Sequence, residues 1–294
     1  GVNPDDMESA HPQVSGVVVR ELARHPSNWR STLSLDAWLE GAGVPLIEGV
    51  DTRRLTRHLR ERGAMRGVIA EGTAPSAELK ARLSASPSME GLDLASRASV
   101  TEAHTEGSGP HVVAYDYGIK RNIVRMLVEA GCQVTLVPAG TSAAQVRALQ
   151  PDGLFLSNGP GDPAAVSYAM GTIRELAEGG LPTFGICLGH QLIGLAFGGS
   201  TRKMPYGHRG GNHPVRDLRT DHVLITTQNH GFAVVGDADG VPGAPELEVT
   251  HLNLNDGTVE GLRHRRLPLF AVQYHPEAAP GPHDAYPHFA EFLR

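Results

Sequence analysis

The chain has 294 residues, a formal net charge of -6, and 40% hydrophobic and 20% charged residues, the make-up of a globular protein with room for two domains or one large one. Acidic and basic residues are mixed along its length, which gives no electrostatic case for nucleic acid or an anionic membrane, and no apolar run approaches the roughly 20 residues of a membrane span. The two cysteines, Cys132 and Cys187, make no disulfide framework, so the expected setting is a reducing cytoplasm.

Residues 1–100 read as one small α/β unit. Val17–Val19 is a strand candidate, and Ser34–Leu39 a short helix capped by Ser34. After Val44–Ile47 comes an arginine-rich helix over 51–63, with Asp51 as its cap, Gly63 as its stop, and Leu55 and Leu59 on one face. Its arginines suit either an acidic partner or a solvated face. Met65–Ala70 predicts a strand and Ala77–Leu83 a helix. The unit has few strong strands and starts abruptly at Gly1, with neither an initiator Met nor a leader pattern, so it is expected to be incomplete at its start. Residues 101–110, polar and glycine-rich, are expected to be a linker.

From His111 the texture changes. Strand candidates Val112–Tyr117, Val134–Pro138, Gly153–Ser157 and Thr183–Ile186 alternate with helices near 121–130, 142–149, 165–178 and 188–197. That alternation predicts a mixed, mainly parallel sheet with helices on both faces, whose ligands lie at the carboxyl ends of its strands. Beyond Gly199 the pattern turns β-rich, with strands expected at Val223–Thr227, Leu247–His251, Val259–Leu262 and Phe270–Gln273, and a closing helix at Asp284–Leu293.

The stretch Gly185-Ile186-Cys187-Leu188-Gly189 is G-x-C-x-G between a strand and a helix, the cysteine form of a nucleophile elbow. Glycines there leave room for a sharp turn, and a helix N-terminus lowers a thiol pKa and stabilises an oxyanion. The plain alternative is a buried core cysteine; Cys132, at a helix-to-strand junction, reads as structural. A cysteine nucleophile needs a base, and the base an orienter. Of the 15 histidines, His275 stands at the carboxyl end of the strand Phe270–Gln273, the same sheet edge as Cys187, with Glu277 two residues on. The loop Ser157-Asn158-Gly159-Pro160-Gly161-Asp162-Pro163 lacks the Lys-Ser/Thr of a P-loop. It suits an oxyanion site built with the N–H of Leu188, or a plain turn.

These motifs together resemble the class I glutamine amidotransferases. Val113–Ile123, Gly210–Val215, Gln228–Val234, 276–284 and Asp51–Thr56 narrow the resemblance to the small, glutamine-hydrolysing subunits of carbamoyl-phosphate synthetase. The resemblance implies Cys187 as nucleophile, His275 as base and acid, and Glu277 as its orienter. It implies glutamine binding by Gly159, Gly161, Leu188, Gln191, Asn229, Gly231 and Phe232, and no metal site. It further implies ammonia transfer to a large synthetase subunit, in a heterodimer or higher oligomer. That subunit would use ATP, magnesium and bicarbonate to make carbamoyl phosphate for pyrimidines and arginine. No ATP motif is present here, so no cofactor is expected in this chain. Family members begin with further strands, including a glutamine-contacting serine that has no match here. The readings weighed against this one are an amidotransferase serving another synthetase, a catalytically silent scaffold, and a stand-alone cysteine hydrolase.

Overall fold

The computed structural model describes residues 1–70, 72 and 77–294. Two compact units divide the chain, Gly1–Ser88 and Met89–Arg294.

The first unit contains β1 (Val17–Val18), α1 (Leu35–Gly41), β2 (Leu46–Ile47), α2 (Thr52–Arg62) and α3 (Ala77–Ala85), with β1 and β2 paired in parallel. The caps follow the sequence. The Ser34 side chain accepts from the Ala37 N–H, Asp51 Oδ1 accepts from the Arg54 N–H at 2.9 Å, and Gly63 ends α2 at φ +86°. No residue of α2 is buried, which fits a solvated face for its arginines. Met65–Ala70, expected as a strand, forms none. A strand needs a partner to take up its N–H and C=O groups, and among the described residues this unit's β pairing is the two-residue β1–β2 ladder and a single Val2–Leu33 bridge.

The second unit runs through α4 (Ala95–Ala98), β3 (His104–Gly107), β4 (His111–Asp116), α5 (Arg121–Glu129), β5 (Gln133–Pro138), α6 (Ala143–Ala148), β6 (Gly153–Leu156), α7 (Ser167–Glu178), β7 (Thr183–Ile186) and α8 (Leu188–Ala196). It continues through β8 (Thr201–Asp217), β9 (Val223–Val234), β10 (Leu247–Asn253), β11 (Val259–His264), β12 (Leu269–Val272) and α9 (Pro287–Phe292). One ten-stranded sheet orders them β3-β5-β4-β6-β7-β12-β11-β10-β8-β9. Pairing is parallel from β5 to β12, and antiparallel at β3 and from β12 to β9.

Alternation along each parallel strand sorts side chains to two faces. Val113, Tyr115, Leu154 and Leu156 join α6, α7 and α8 in one apolar cluster. Val112, Ala114, Phe155, Phe184 and Ile186 join α5 and α9 in the other. With both faces covered, the carboxyl edge of the strands is left to carry a site.

Two segments depart from the sequence reading. Residues 101–110, expected as a linker, contain β3, which adds an antiparallel edge to β5, and the division between units falls earlier, after Ser88. An edge strand is held by its ladder more than by burial, so His104, Thr105 and Glu106 suit it despite their polarity; Thr105 Oγ1 bonds Thr135 Oγ1 at 2.9 Å. The 17-residue β8 was not expected at all. Pro205, Pro214 and three glycines erase its alternation, and its ladder with β9 is interrupted twice by register shifts. Those irregularities hide a strand from any period-two reading.

Candidate active site

Cys187 links β7 to α8 with φ 55° and ψ −99°, a conformation that costs a non-glycine residue energy and that concentrates at functional sites. Its N–H bonds Val272 O on β12 at 2.9 Å. The flanking glycines are required by close approach. A Cβ on Gly189 would lie 2.2 Å from Leu156 O, and one on Gly185 would lie 2.8 Å from Ile193 Cδ1 and 2.9 Å from the Gly189 carbonyl carbon. Cys187 is itself buried within the apolar cluster on the α5 face, so burial alone is compatible with an inert core thiol. Its backbone and its neighbour are not.

That neighbour is His275, three residues past β12 and buried. Its N–H bonds Thr227 O at 2.9 Å, and Nδ1–H donates to Glu277 Oε1 at 2.7 Å. This fixes the tautomer and turns Nε2, which is buried and has no hydrogen-bond partner among the described residues, into the free end of the ring. Burial opposes a charge on His275, but the Glu277 carboxylate and then Cys187 outweigh it, and the pKa is pushed up to about 9. Burial likewise opposes ionisation of Glu277. His275 and then Lys120 overcome that too, holding the carboxyl below its ordinary range. The arrangement favours an imidazolium held by the Glu277 carboxylate. His190, next to the elbow in sequence, is a different case: burial drops it to about 3 against a smaller backbone contribution from Ala271, so it stays neutral.

Of the residues expected to bind glutamine, Gly159, Gly161 and Leu188 follow the carboxyl ends of β6 and β7, Gln191 lies on α8, and Asn229, Gly231 and Phe232 lie on β9. Gly159 follows β6, where a Cβ would lie 2.2 Å from Tyr117 O and 2.9 Å from a Leu188 methyl. Gly161 turns at φ +98° against Leu92 and Leu94. Leu188 opens α8, so its N–H has no acceptor within the helix. Gln191, one turn along, spends its amide hydrogens internally: Nε2 donates to Phe232 O at 2.8 Å and to Gln273 Oε1 at 2.9 Å. It therefore ties α8 to β9 and to the residue that follows β12. On β9, Asn229 is exposed, Gly231 half-buried and Phe232 buried.

Three further residues complete the site and had no role in the sequence reading. Lys120 Nζ lies 3.1 Å from Glu277 Oε1 and donates to Ala278 O at 3.2 Å, while its N–H bonds Asn158 Oδ1. Asn122 Nδ2 donates to Glu277 O at 2.7 Å. Both stand within the stretch that carried the family resemblance, so the signal was their co-occurrence with it rather than any spacing to Cys187. Arg209 on β8 donates to the carbonyls of His208 and His230. Desolvation lowers its pKa, and the electrostatic influence of Cys187 opposes that.

Residues 113–294 match the family described as glutamine amidotransferase class-I, and residues 1–69 match the carbamoyl-phosphate synthase small chain, CPSase domain. The carbamoyl phosphate synthase small chain of Chlorobaculum tepidum is 55% identical over 297 residues, spanning 99% of this chain and 80% of its own. That of Thioalkalivibrio sulfidiphilus is 51% identical over 309 residues, spanning 100% and 80%. A solved Thermoplasma acidophilum protein, named for GMP synthase, superposes with a TM-score of 0.52 at 21% identity, covering 64% of this chain and 95% of its own, and supports the fold. A thiol on a strained strand–helix turn, with a carboxylate-oriented imidazole from the adjacent strand, is therefore set in a chain that belongs to the carbamoyl phosphate synthase small chain family and carries its class I glutamine amidotransferase domain.

Proposed function

We propose that this chain hydrolyses L-glutamine to glutamate and ammonia through a thioester on Cys187, and passes the ammonia to a large synthetase subunit that makes carbamoyl phosphate. The observation that carries the reading is the combination of Cys187, in its strained φ 55° turn between β7 and α8, with a buried His275 past the adjacent β12 whose ring is oriented by Glu277. Cys187 thiolate attacks the side-chain amide carbon, and the oxyanion is held by backbone N–H groups at Leu188 and the Gly159 loop. His275 Nε2–H gives its proton to the departing nitrogen, which leaves as ammonia. Neutral His275 then takes a proton from water. The hydroxide attacks the thioester carbonyl, glutamate leaves and the thiolate returns. Glu277 holds the ring through Nδ1 throughout, and Lys120 and Asn122 hold Glu277.

Asn229 and the Gly231–Phe232 backbone are assigned to the α-amino and α-carboxylate groups of glutamine. ATP and magnesium are assigned to the large subunit. The match of residues 1–69 to the small chain supports this acceptor over that of other amidotransferases. No helix among the described residues is long and apolar enough to cross a membrane.

The test is to follow glutamate release from glutamine by the full chain, alone and with a large synthetase subunit. Release that rises with the partner and couples to carbamoyl phosphate supports the reading. Equal turnover on unrelated amides without a partner would instead indicate a stand-alone hydrolase.

A further inference from the structure

Outside the thiol site, the antiparallel half of the sheet buries three side chains that all carry metal-binding atoms: His208 on β8, His230 on β9 and Glu260 on β11. One nitrogen or oxygen from each lies within 4.8 Å of the others. The two histidines face each other in the β8–β9 register, rings 4.9 Å apart at 82°.

The hydrogen bonds around the cluster leave its inner atoms as acceptors. His230 Nδ1–H donates to Phe232 O at 2.7 Å, so Nε2 keeps its lone pair, and that atom is buried with no hydrogen-bond partner among the described residues. His208 Nε2–H donates to Asp256 Oδ2 at 2.9 Å, which turns the Nδ1 lone pair towards Glu260 Oε1, 3.4 Å away. Asn253 Nδ2 reaches both of those atoms, at 3.4 Å and 2.9 Å, and Gln228 Nε2 donates to Glu260 Oε2 at 2.9 Å. Three electron-pair donors thus converge in a buried space. Asn253 Nδ2 serves Glu260 Oε1 and His208 Nδ1, and His230 Nε2 is left without a partner among the described residues. A cation satisfies all three.

One ligand-to-ligand distance and the outer partners suit a metal site. Two ligands about 2.0–2.1 Å from one tetrahedral ion stand about 3.3 Å apart, close to the 3.4 Å between His208 Nδ1 and Glu260 Oε1. Metal-bound imidazoles donate their other N–H to a carboxylate or carbonyl, and ligating carboxylates are themselves hydrogen-bonded. Asp256, Phe232, Gln228 and Asn253 fill those parts.

We propose that His208, His230 and Glu260 bind one divalent transition-metal ion of the zinc class, with solvent in the fourth position, clamping β8, β9 and β11 together. His230 lies between Asn229 and Gly231, so the ion would stiffen the strand assigned to glutamine without meeting the thiol chemistry.

The test uses the full chain and Zn²⁺ itself, titrated in competition with a chromophoric chelator after dialysis against a stronger one. One equivalent should bind, and Glu260→Gln and His208→Gln should weaken it at least tenfold. Cys187→Ala and the exposed His222→Gln should leave it unchanged. Circular dichroism without metal checks that each variant is folded. X-ray absorption of the zinc-loaded wild type needs no variant, and it should give a nitrogen and oxygen shell with two imidazoles. Absence of binding at micromolar zinc, a sulfur ligand, or loss of binding in Cys187→Ala or His222→Gln would each overturn the proposal, leaving a polar network bridged by a proton.

Discussion

The two halves of the ten-stranded sheet are built by different physics. From β5 to β12 the strands are four to six residues long, mostly buried from end to end, and packed between helices on both faces. From β8 to β9 they are 17 and 12 residues long, partly exposed, and tied through buried Gln228, Asn253, His208, His230 and Glu260. The parallel half is fixed by close packing, which holds a strained turn such as Cys187 against relaxation. Hydrogen bonds fix the other half, and removing one partner there costs the full desolvation of the group left behind. His275 stands at the seam, since β12 is parallel to β7 on one side and antiparallel to β11 on the other.

Removing the group the parallel half exists to hold should have the largest effect. Cys187→Ala should lower glutamine hydrolysis by on the order of 10⁴-fold or more, while the complex still makes carbamoyl phosphate from added ammonia. Loss of both activities would mean that the elbow is structural. At the seam, Glu277→Gln keeps the shape of the orienter but removes its charge, and should reduce kcat by about 10²-fold; damage equal to that of Cys187→Ala would deny it a supporting part. The tie between the halves is tested by Gln191→Leu, which leaves Phe232 O with one donor fewer and Gln273 Oε1 unpaired. It should raise KM for glutamine about tenfold, with a smaller change in kcat, the signature of lost ground-state positioning; a change confined to kcat would place Gln191 in the chemistry instead.

The smallest expected effect is a titration. Because the folded pKa of His275 is raised from 6.5 to about 9, its stabilising contribution is complete below 6.5 and is lost as pH climbs through about 9. In Cys187→Ala one source of that shift is gone, so the ring should titrate at lower pH by NMR, with Glu277 holding part of the elevation. An unmoved titration would mean that the thiol and the ring do not sense each other.

Legibility followed the same division. The four strands at 112–117, 134–138, 153–157 and 183–186 and their helices could be read because a strand buried on both faces must be apolar and is punctuated by capped helices. Cys187, His275 and Glu277 stood out because chemistry at a sheet edge requires those types after a strand. The antiparallel half resisted reading. Prolines, glycines and bulges broke the period of β8, and β9 ran seven residues beyond the expected Thr227, to Val234. Lys120, Asn122, Arg209 and the cluster of His208, His230 and Glu260 come from positions that only the folded topology brings together. No spacing in the chain announces a carboxylate 30 residues from one imidazole and 52 from another.

The central claim is a covalent one, and rapid quenching tests it most directly. The full chain, with its large subunit, would be mixed with glutamine, quenched in acid within the first turnovers, digested and analysed by mass spectrometry. The account predicts a glutamyl thioester on the peptide that carries Cys187, absent in Cys187→Ala. Glutamate released with no adduct on Cys187 at any time, or with an adduct on another residue, would contradict it.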